Sequence, residues 1–288
     1  MSPTALRYEV TGRVARITLD RPERANAITL AMPRELAECV EEANLDPAVH
    51  VIALAGNGKG FCGGYDLVEY AESPAPNHDP GEPWDPVTDW QMMSRNLRGF
   101  MSLFHSDKPV ICKVHGFCVA GGTDMALCSD LLVIADDARI GYPPARVWGV
   151  PTSALWAFRI GDQRAKRLLF TGDLIDGRTA YEWGLAVDAP PAAELDDGFE
   201  ELVERIALTP VNQLVMMKLL VNQALFAQGL HATQALGVFF DGIARHTPEG
   251  YEFQRRAAQA GFKEAVRERD QPYEAPRRPP SSSRRAGS

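Results

Sequence analysis

Two glycine-rich turns, each fed by a short apolar run, limit what this chain can fold into more than any other feature. The first is Gly58-Lys59-Gly60-Phe61-Cys62-Gly63-Gly64-Tyr65-Asp66-Leu67, after the apolar residues 49–55. The second is His115-Gly116-Phe117-Cys118-Val119-Ala120-Gly121-Gly122-Thr123-Asp124, after residues 109–114. Short apolar runs bounded by turn residues read as buried strands. Met125, Ala126 and Leu127 continue from the second turn as a helix, so the amides at Gly121 are first-turn donors at the positive end of a helix dipole. One such elbow reads as an ordinary strand-to-helix connection. Two of them can aim one backbone N–H each at a single point, which is the construction of an oxyanion hole.

Composition narrows the class. With 288 residues and 45% hydrophobic content the chain can bury a large core, and a net charge of −8 argues against a nucleic-acid surface. Residues 1–9 lack the apolar segment of a secretion signal, and no apolar run reaches membrane-spanning length, so no membrane partner is expected. The five cysteines are odd in number and form no C-x-x-C pair, which predicts reduced thiols and a cytoplasmic location. Gly58, Gly60 and Gly63 match G-x-G-x-x-G, but a proline-rich stretch follows where a dinucleotide fold needs a second strand and an acid. No Walker A or G-x-S-x-G sequence occurs, and the histidines show no metal-ligand spacing, so no metal is expected.

Along the chain, residues 6–20 predict a hairpin turning at Thr11-Gly12, and Pro33 opens a helix with Leu36, Ala37, Val40 and Ala43 on one face. Strand–helix units to about residue 188 imply an α/β core. Residues 73–89 are rich in proline and acids and predict a long loop with no regular helix, either a lid with Trp84 and Trp90 as apolar contacts or a surface insertion. After Pro190-Pro191, the spacing of Phe199, Leu202, Val203, Ile206 and Ala207 begins a helical part. Three segments result: an α/β core over 1–190, helices over 191–270, and a disordered tail over 271–288.

The two elbows, with the motifs around them, resemble the enoyl-CoA hydratase/isomerase family, the crotonase superfamily. Leu19-Asp20-Arg21-Pro22-Glu23-Arg24-Ala25-Asn26-Ala27 is similar to its early CoA-contacting loop, and residues 61–67 and 116–130 to its two oxyanion segments. Residues 139–144 resemble a pocket wall, Leu169-Phe170-Thr171-Gly172-Asp173 with Ala180 and Gly184-Leu185-Ala186 the next helical turn, and residues 218–222 the start of the C-terminal helices. These motifs stand in the family order and cover most of the chain. The resemblance implies a core of repeated ββα units, C-terminal helices that make a homotrimer or a dimer of trimers, and an acyl-CoA substrate with coenzyme A as its handle and no separate cofactor.

It also implies site residues. The amides of Tyr65 and Gly121 would hold the thioester oxygen of an enolate, each worth roughly 3 kcal/mol of transition-state stabilisation. Asp124 stands where the family carries its first carboxylate and is the implied proton-transfer group; an acid there also simply suits a first helical turn. Arg24, Ala25, Gly63, Asp66, Leu67, Gly122, Tyr142, Pro144 and Trp148 are the implied contacts to substrate and coenzyme A. Pro144 replaces the second glutamate of the hydratases and can neither give nor take a proton. Tyr142, Arg146, Trp148, His115, Asp66, Glu69 and the acidic loop that follows are candidates to replace it, with Tyr142 and Trp148 better read as pocket wall, Arg146 as solvated or ion-paired, and His115 as a satisfied side chain. The expected activity is therefore hydratase-type, with isomerisation, thioester hydrolysis, dehalogenation or decarboxylation through Asp124 as alternatives, and a non-catalytic CoA-binding scaffold as a third.

Overall fold

The computed structural model describes residues 4–72 and 83–274. The predicted hairpin is present: β1 (Leu6–Thr11) pairs antiparallel with β2 (Val14–Leu19) in the register Thr11↔Val14. Its two-residue turn starts at Gly12, whose φ of +59° is the left-handed conformation a tight hairpin requires. The apolar runs ahead of the elbows form β3 (Val51–Gly56) and β4 (Val110–Val114). With β6 (Leu131–Ile134) they complete a five-stranded sheet in the order β1-β2-β3-β4-β6, parallel from β2 onward. A second sheet, β5-β7-β8, joins Phe117–Val119, Arg139–Gly141 and Leu174–Asp176.

Alternation along β2 assigns the faces of the large sheet. Ala15, Ile17 and Leu19 are fully buried, whereas Arg16 between them forms an ion pair with Glu200 of α7 (Leu195–Ala207) at 2.6 Å. Helix α1 (Met32–Leu45) buries Leu36, Val40 and Ala43 as its spacing requires, with Pro33 in its first turn. It packs beside α2 (Pro86–His105).

Helix α2 corrects the loop expected over residues 73–89. It begins at Pro86, where a proline lacks nothing the first turn needs, and Asp85 caps it by accepting from the amides of Val87 and Thr88. Of the expected loop and lid, residues 73–82 lie outside the described residues, as does most of the C-terminal tail. The short helices α3 (Gly121–Ala126), α4 (Leu155–Ile160), α5 (Asp162–Thr171) and α6 (Gly177–Glu182) complete the core. Beyond α7, the chain runs through α8 (Val211–Ala227), α9 (Leu230–Arg245), α10 (Pro248–Ala260) and α11 (Phe262–Asp270). No helix among the described residues is long and apolar enough to cross a membrane.

Candidate active site

The two elbows are stitched together by their backbones. The amide of Phe61 donates to the carbonyl of Phe117 at 2.8 Å, that of Val119 to Cys62 at 3.0 Å, and Cys62 and Cys118 form a parallel bridge. Glycine permits the approach: a Cβ on Gly122 would lie 2.8 Å from Cys62 Cβ, and one on Gly64 would lie 2.8 Å from Ala120 Cβ and 3.6 Å from the nitrogen of Gly121. Cys62 and Cys118 are buried packing thiols, the Cys62 thiol pushed up to about 12 by burial.

The amides of Tyr65 and Gly121 are among those with no acceptor among the described residues. Around Tyr65 the bridge to Ile28 is made by the carbonyl of Gly64 and the amide of Asp66, so the Tyr65 N–H takes no part in it. Gly121 opens α3, and its N–H has no helical acceptor. Neither N–H donates a hydrogen bond to any described residue. Ala120, just before, is held at φ 53°, ψ −131°, a left-handed conformation costing a non-glycine residue about 1–3 kcal/mol. Its amide donates to Gly141 and its carbonyl accepts from the hydroxyl of Thr123 at 2.7 Å, so the surroundings fix the strained turn.

The early turn is tied to the first elbow by Asn26. Fully buried, its side chain accepts from the Arg21 amide and donates to the carbonyls of Asn57, Gly60 and Phe61. Ala25 accepts from the Gly63 amide at 2.9 Å, and Arg24 beside it is exposed. Asp66 is buried in an ion pair with Arg21 at 3.0 Å.

A cavity of about 420 Å³ opens beside the free amides, within the usual range for ligand pockets. Of the expected residues, Gly63, Tyr65, Leu67, Gly121, Tyr142, Pro144 and Trp148 line it. Arg24, Ala25, Asp66, Gly122 and Asp124 stand outside this lining: Asp66 is engaged by Arg21, Gly122 packs on Cys62, and Asp124 is fully buried. The C-terminal helices, expected only to assemble subunits, also build the wall, contributing Asp241 and Arg245 from α9, Phe253 from α10, and Val266, Arg269 and Asp270 from α11. Met92 and Met93 of α2 and Tyr70 add to it. The expected apolar contacts of the proline-rich segment go elsewhere, since Trp84 stacks on His246 at 4.4 Å and Trp90 borders a groove with Val87 and Phe239.

Three charged clusters lie at or next to the cavity. Asp124, one turn beyond Gly121, accepts the Ser153 amide at 2.8 Å on Oδ1, while its buried Oδ2 has no hydrogen-bond partner. Burial lifts its carboxyl to about 7 against the hydrogen bonds from Ser153 that lower it. Asp241 accepts from the Val150 amide at 3.1 Å on Oδ1 and from Arg245 on Oδ2, and Arg245 is bound on its other side by Asp89 at 2.5 Å. Burial raises Asp241 above the usual carboxylate range, with Arg245 opposing and Asp89 adding to the rise. Asp270, also in the lining, pairs with Arg269 at 2.8 Å and with Arg146 at 2.9 Å, so of the two readings of Arg146, solvated or ion-paired, the structure shows the ion pair. His115 donates through Nε2 to the Gly58 carbonyl at 2.8 Å and is satisfied there. Sequence reasoning missed Asp241 and Arg245, whose spacing of four residues on a helix was the available signal.

Comparison with known proteins agrees with this architecture. The family model for enoyl-CoA hydratase/isomerase matches residues 9–246. A carnitinyl-CoA dehydratase of Proteus mirabilis is 32% identical over 207 residues, 70% of this chain and 74% of that protein. A 1,2-epoxyphenylacetyl-CoA isomerase of Escherichia coli is 29% identical over 216 residues, 73% of this chain and 79% of that one. The crystal structure of an enoyl-CoA hydratase from Mycobacterium smegmatis superposes with a TM-score of 0.90 at 59% identity, covering 93% of this chain and 94% of that one. With paired elbows bordering an apolar cavity and a family model that spans nearly all of its length, this chain belongs to the enoyl-CoA hydratase/isomerase family of acyl-CoA enzymes.

Proposed function

We propose that the protein catalyses reversible addition of water to a 2-enoyl-CoA thioester. The observation that carries this reading is the pair of unpartnered amides, Tyr65 and Gly121, bordering one apolar cavity. Electron density leaving the C2–C3 double bond accumulates on the thioester oxygen, and two fixed N–H donors stabilise that charge without reorganising. Coenzyme A enters and leaves as part of the substrate, no separate cofactor takes part, and the early turn at Arg24 and Ala25 contacts it. Asp124, at the position of the family's first carboxylate, carries the proton through its free Oδ2. Hydration and dehydration are also the reactions in the names of the M. smegmatis and P. mirabilis relatives. Double-bond isomerisation is the second reading, favoured by Pro144, which takes a carboxylate out of the wall.

A panel of 2-enoyl, 3-enoyl, dienoyl and β-hydroxyacyl thioesters, followed by mass spectrometry, separates these. Consumption of the 2-enoyl thioester with gain of one water is expected. Conversion of 3-enoyl to 2-enoyl thioester without water would replace this reading by isomerisation, and an inert panel would refute both.

The same reading includes assembly into a trimer or a dimer of trimers. Helix α8 turns its polar side chains inward: Lys218 is buried on Asp130 at 2.7 Å and Asn222 donates to the Phe104 carbonyl. Met216, Met217, Leu220 and Val221 are more than half exposed, at 52%, 56%, 69% and 63%. An apolar face of that kind marks an association surface. Light scattering should give a closed oligomer, and Leu220→Lys should shift it toward monomer; a monomeric wild type at micromolar concentration would refute the assembly.

A further inference from the structure

We infer that Asp241 is the second acid/base group of this site, performing from helix α9 the proton transfer that Pro144 cannot perform. The inference rests on the hydration reading above. Asp241 and Pro144 line the same cavity as Tyr65 and Gly121, and both lie against one stretch of its wall: Asp241 accepts from the Val150 amide, and a Cβ on the adjacent Gly149 would meet Pro144 Cβ at 2.8 Å. Asp124 does not line the cavity, and Asp270, the other carboxylate that does, is held by two arginines, Arg146 and Arg269, whereas Asp241 shares its one arginine with Asp89.

Its setting suits proton transfer. The Val150 amide fixes Oδ1 and Arg245 fixes Oδ2, while Asp89 fixes Arg245, so the carboxylate holds one rotamer. Each oxygen uses one acceptor direction and keeps a second. Two carboxylates share one guanidinium, leaving the cluster with a net negative charge that favours taking up a proton. The same count makes Arg245 a poor clamp for a substrate carboxylate, because both its partners are already anions. The charged and titratable groups that face Asp241 are Arg245 on its own helix, Asp89 on α2, Asp124 on α3, and the tyrosines Tyr65 and Tyr142.

In the hydration step, Asp241 takes a proton from water as the water oxygen bonds to C3, and the C2–C3 π pair moves to the thioester oxygen at the two amides. The enolate then reforms its carbonyl while C2 takes the proton of the Asp124 carboxylic acid. Asp241 afterwards releases its proton to solvent and Asp124 regains one, so one water is consumed and both carboxyl groups return to their starting state.

The test uses the full-length protein and the 2-enoyl thioester that the wild type turns over best. Asp241→Ala is expected to lower kcat roughly 10²–10⁴-fold with little change in KM. Added formate should restore part of the lost turnover, which a structural defect would not allow. Asp89→Asn leaves Arg245 to Asp241 alone and should move the acidic limb of the pH profile to lower pH, because the negative charge of Asp89 raises the proton affinity of Asp241. Wild-type turnover in Asp241→Ala, or a loss that formate does not relieve together with an unmoved pH limb in Asp89→Asn, would overturn the assignment while leaving hydration in place. A wild type that hydrates no thioester would overturn the hydration reading and this one with it.

Discussion

Asp124→Asn is expected to lower turnover by about 10²–10⁴-fold while calorimetric binding of an acyl-CoA holds nearly constant. The amide side chain keeps an oxygen for the Ser153 N–H, which Oδ1 now accepts at 2.8 Å, so the loop it anchors stays in place. What is lost is the proton, because an amide neither takes nor releases one near neutrality. The same substitution has a signature in stability. Burial raises the Asp124 carboxyl from 3.8 to about 7, so between those values the folded protein holds a proton that the unfolded chain has released. Folding stability from this group is therefore full at low pH, falls as pH rises through that window, and levels off above it. A tenfold change in proton affinity is worth about 1.4 kcal/mol, so the loss across the window is on the order of a few kcal/mol. Relative to wild type, the melting temperature of Asp124→Asn should therefore rise as the pH goes from about 4 to about 7. Full activity in Asp124→Asn would leave Asp124 as an anchor for the Ser153 amide and nothing more.

Gly121→Ala should cost about 10²–10³-fold in kcat, the loss seen when one oxyanion donor is removed. A Cβ there would meet Tyr65 Cε2 at 2.6 Å and Ile28 Cδ1 at 3.1 Å. The methyl group thus pushes apart the two residues whose amides are proposed to hold one oxygen, and the cavity narrows at the same point. Gly198→Ala is the matched control. It lies in α7, where an added Cβ meets nothing nearer than 3.7 Å, and activity there should be unchanged. An active Gly121→Ala enzyme would remove the two-amide hole from the mechanism.

The elbows were legible because their information is local. An apolar run bounded by glycine specifies a strand and a turn within a few residues, so β3, β4 and both turns stand where the residues indicate. The hairpin of β1 and β2, the buried face of α1 and the spacing of α7 follow from the same short periods. The family is likewise legible from the order of its motifs.

Other features depended on contacts that no local pattern carries. Strand β5 has three residues and exists through its pairing with β7, and α2 begins inside a stretch whose proline content argued for loop because Asp85 and Pro86 happen to be a cap and a first helical position. The cavity wall beyond the elbows is the clearest case. Asp241 and Arg245 read as an ordinary helical ion pair until folding brings Asp89 to Arg245 across 156 positions of sequence and sets Asp241 and Arg245 against the cavity. Burial then changes what each carboxyl is: Asp124 and Asp241 have identical side chains, but Asp124 keeps a buried oxygen without a hydrogen-bond partner and Asp241 is clamped in the cavity lining. Residue type and spacing set which groups are available, and desolvation together with long-range charge pairing, which arise only in the packed structure, set which of them meets the substrate and with what affinity for a proton.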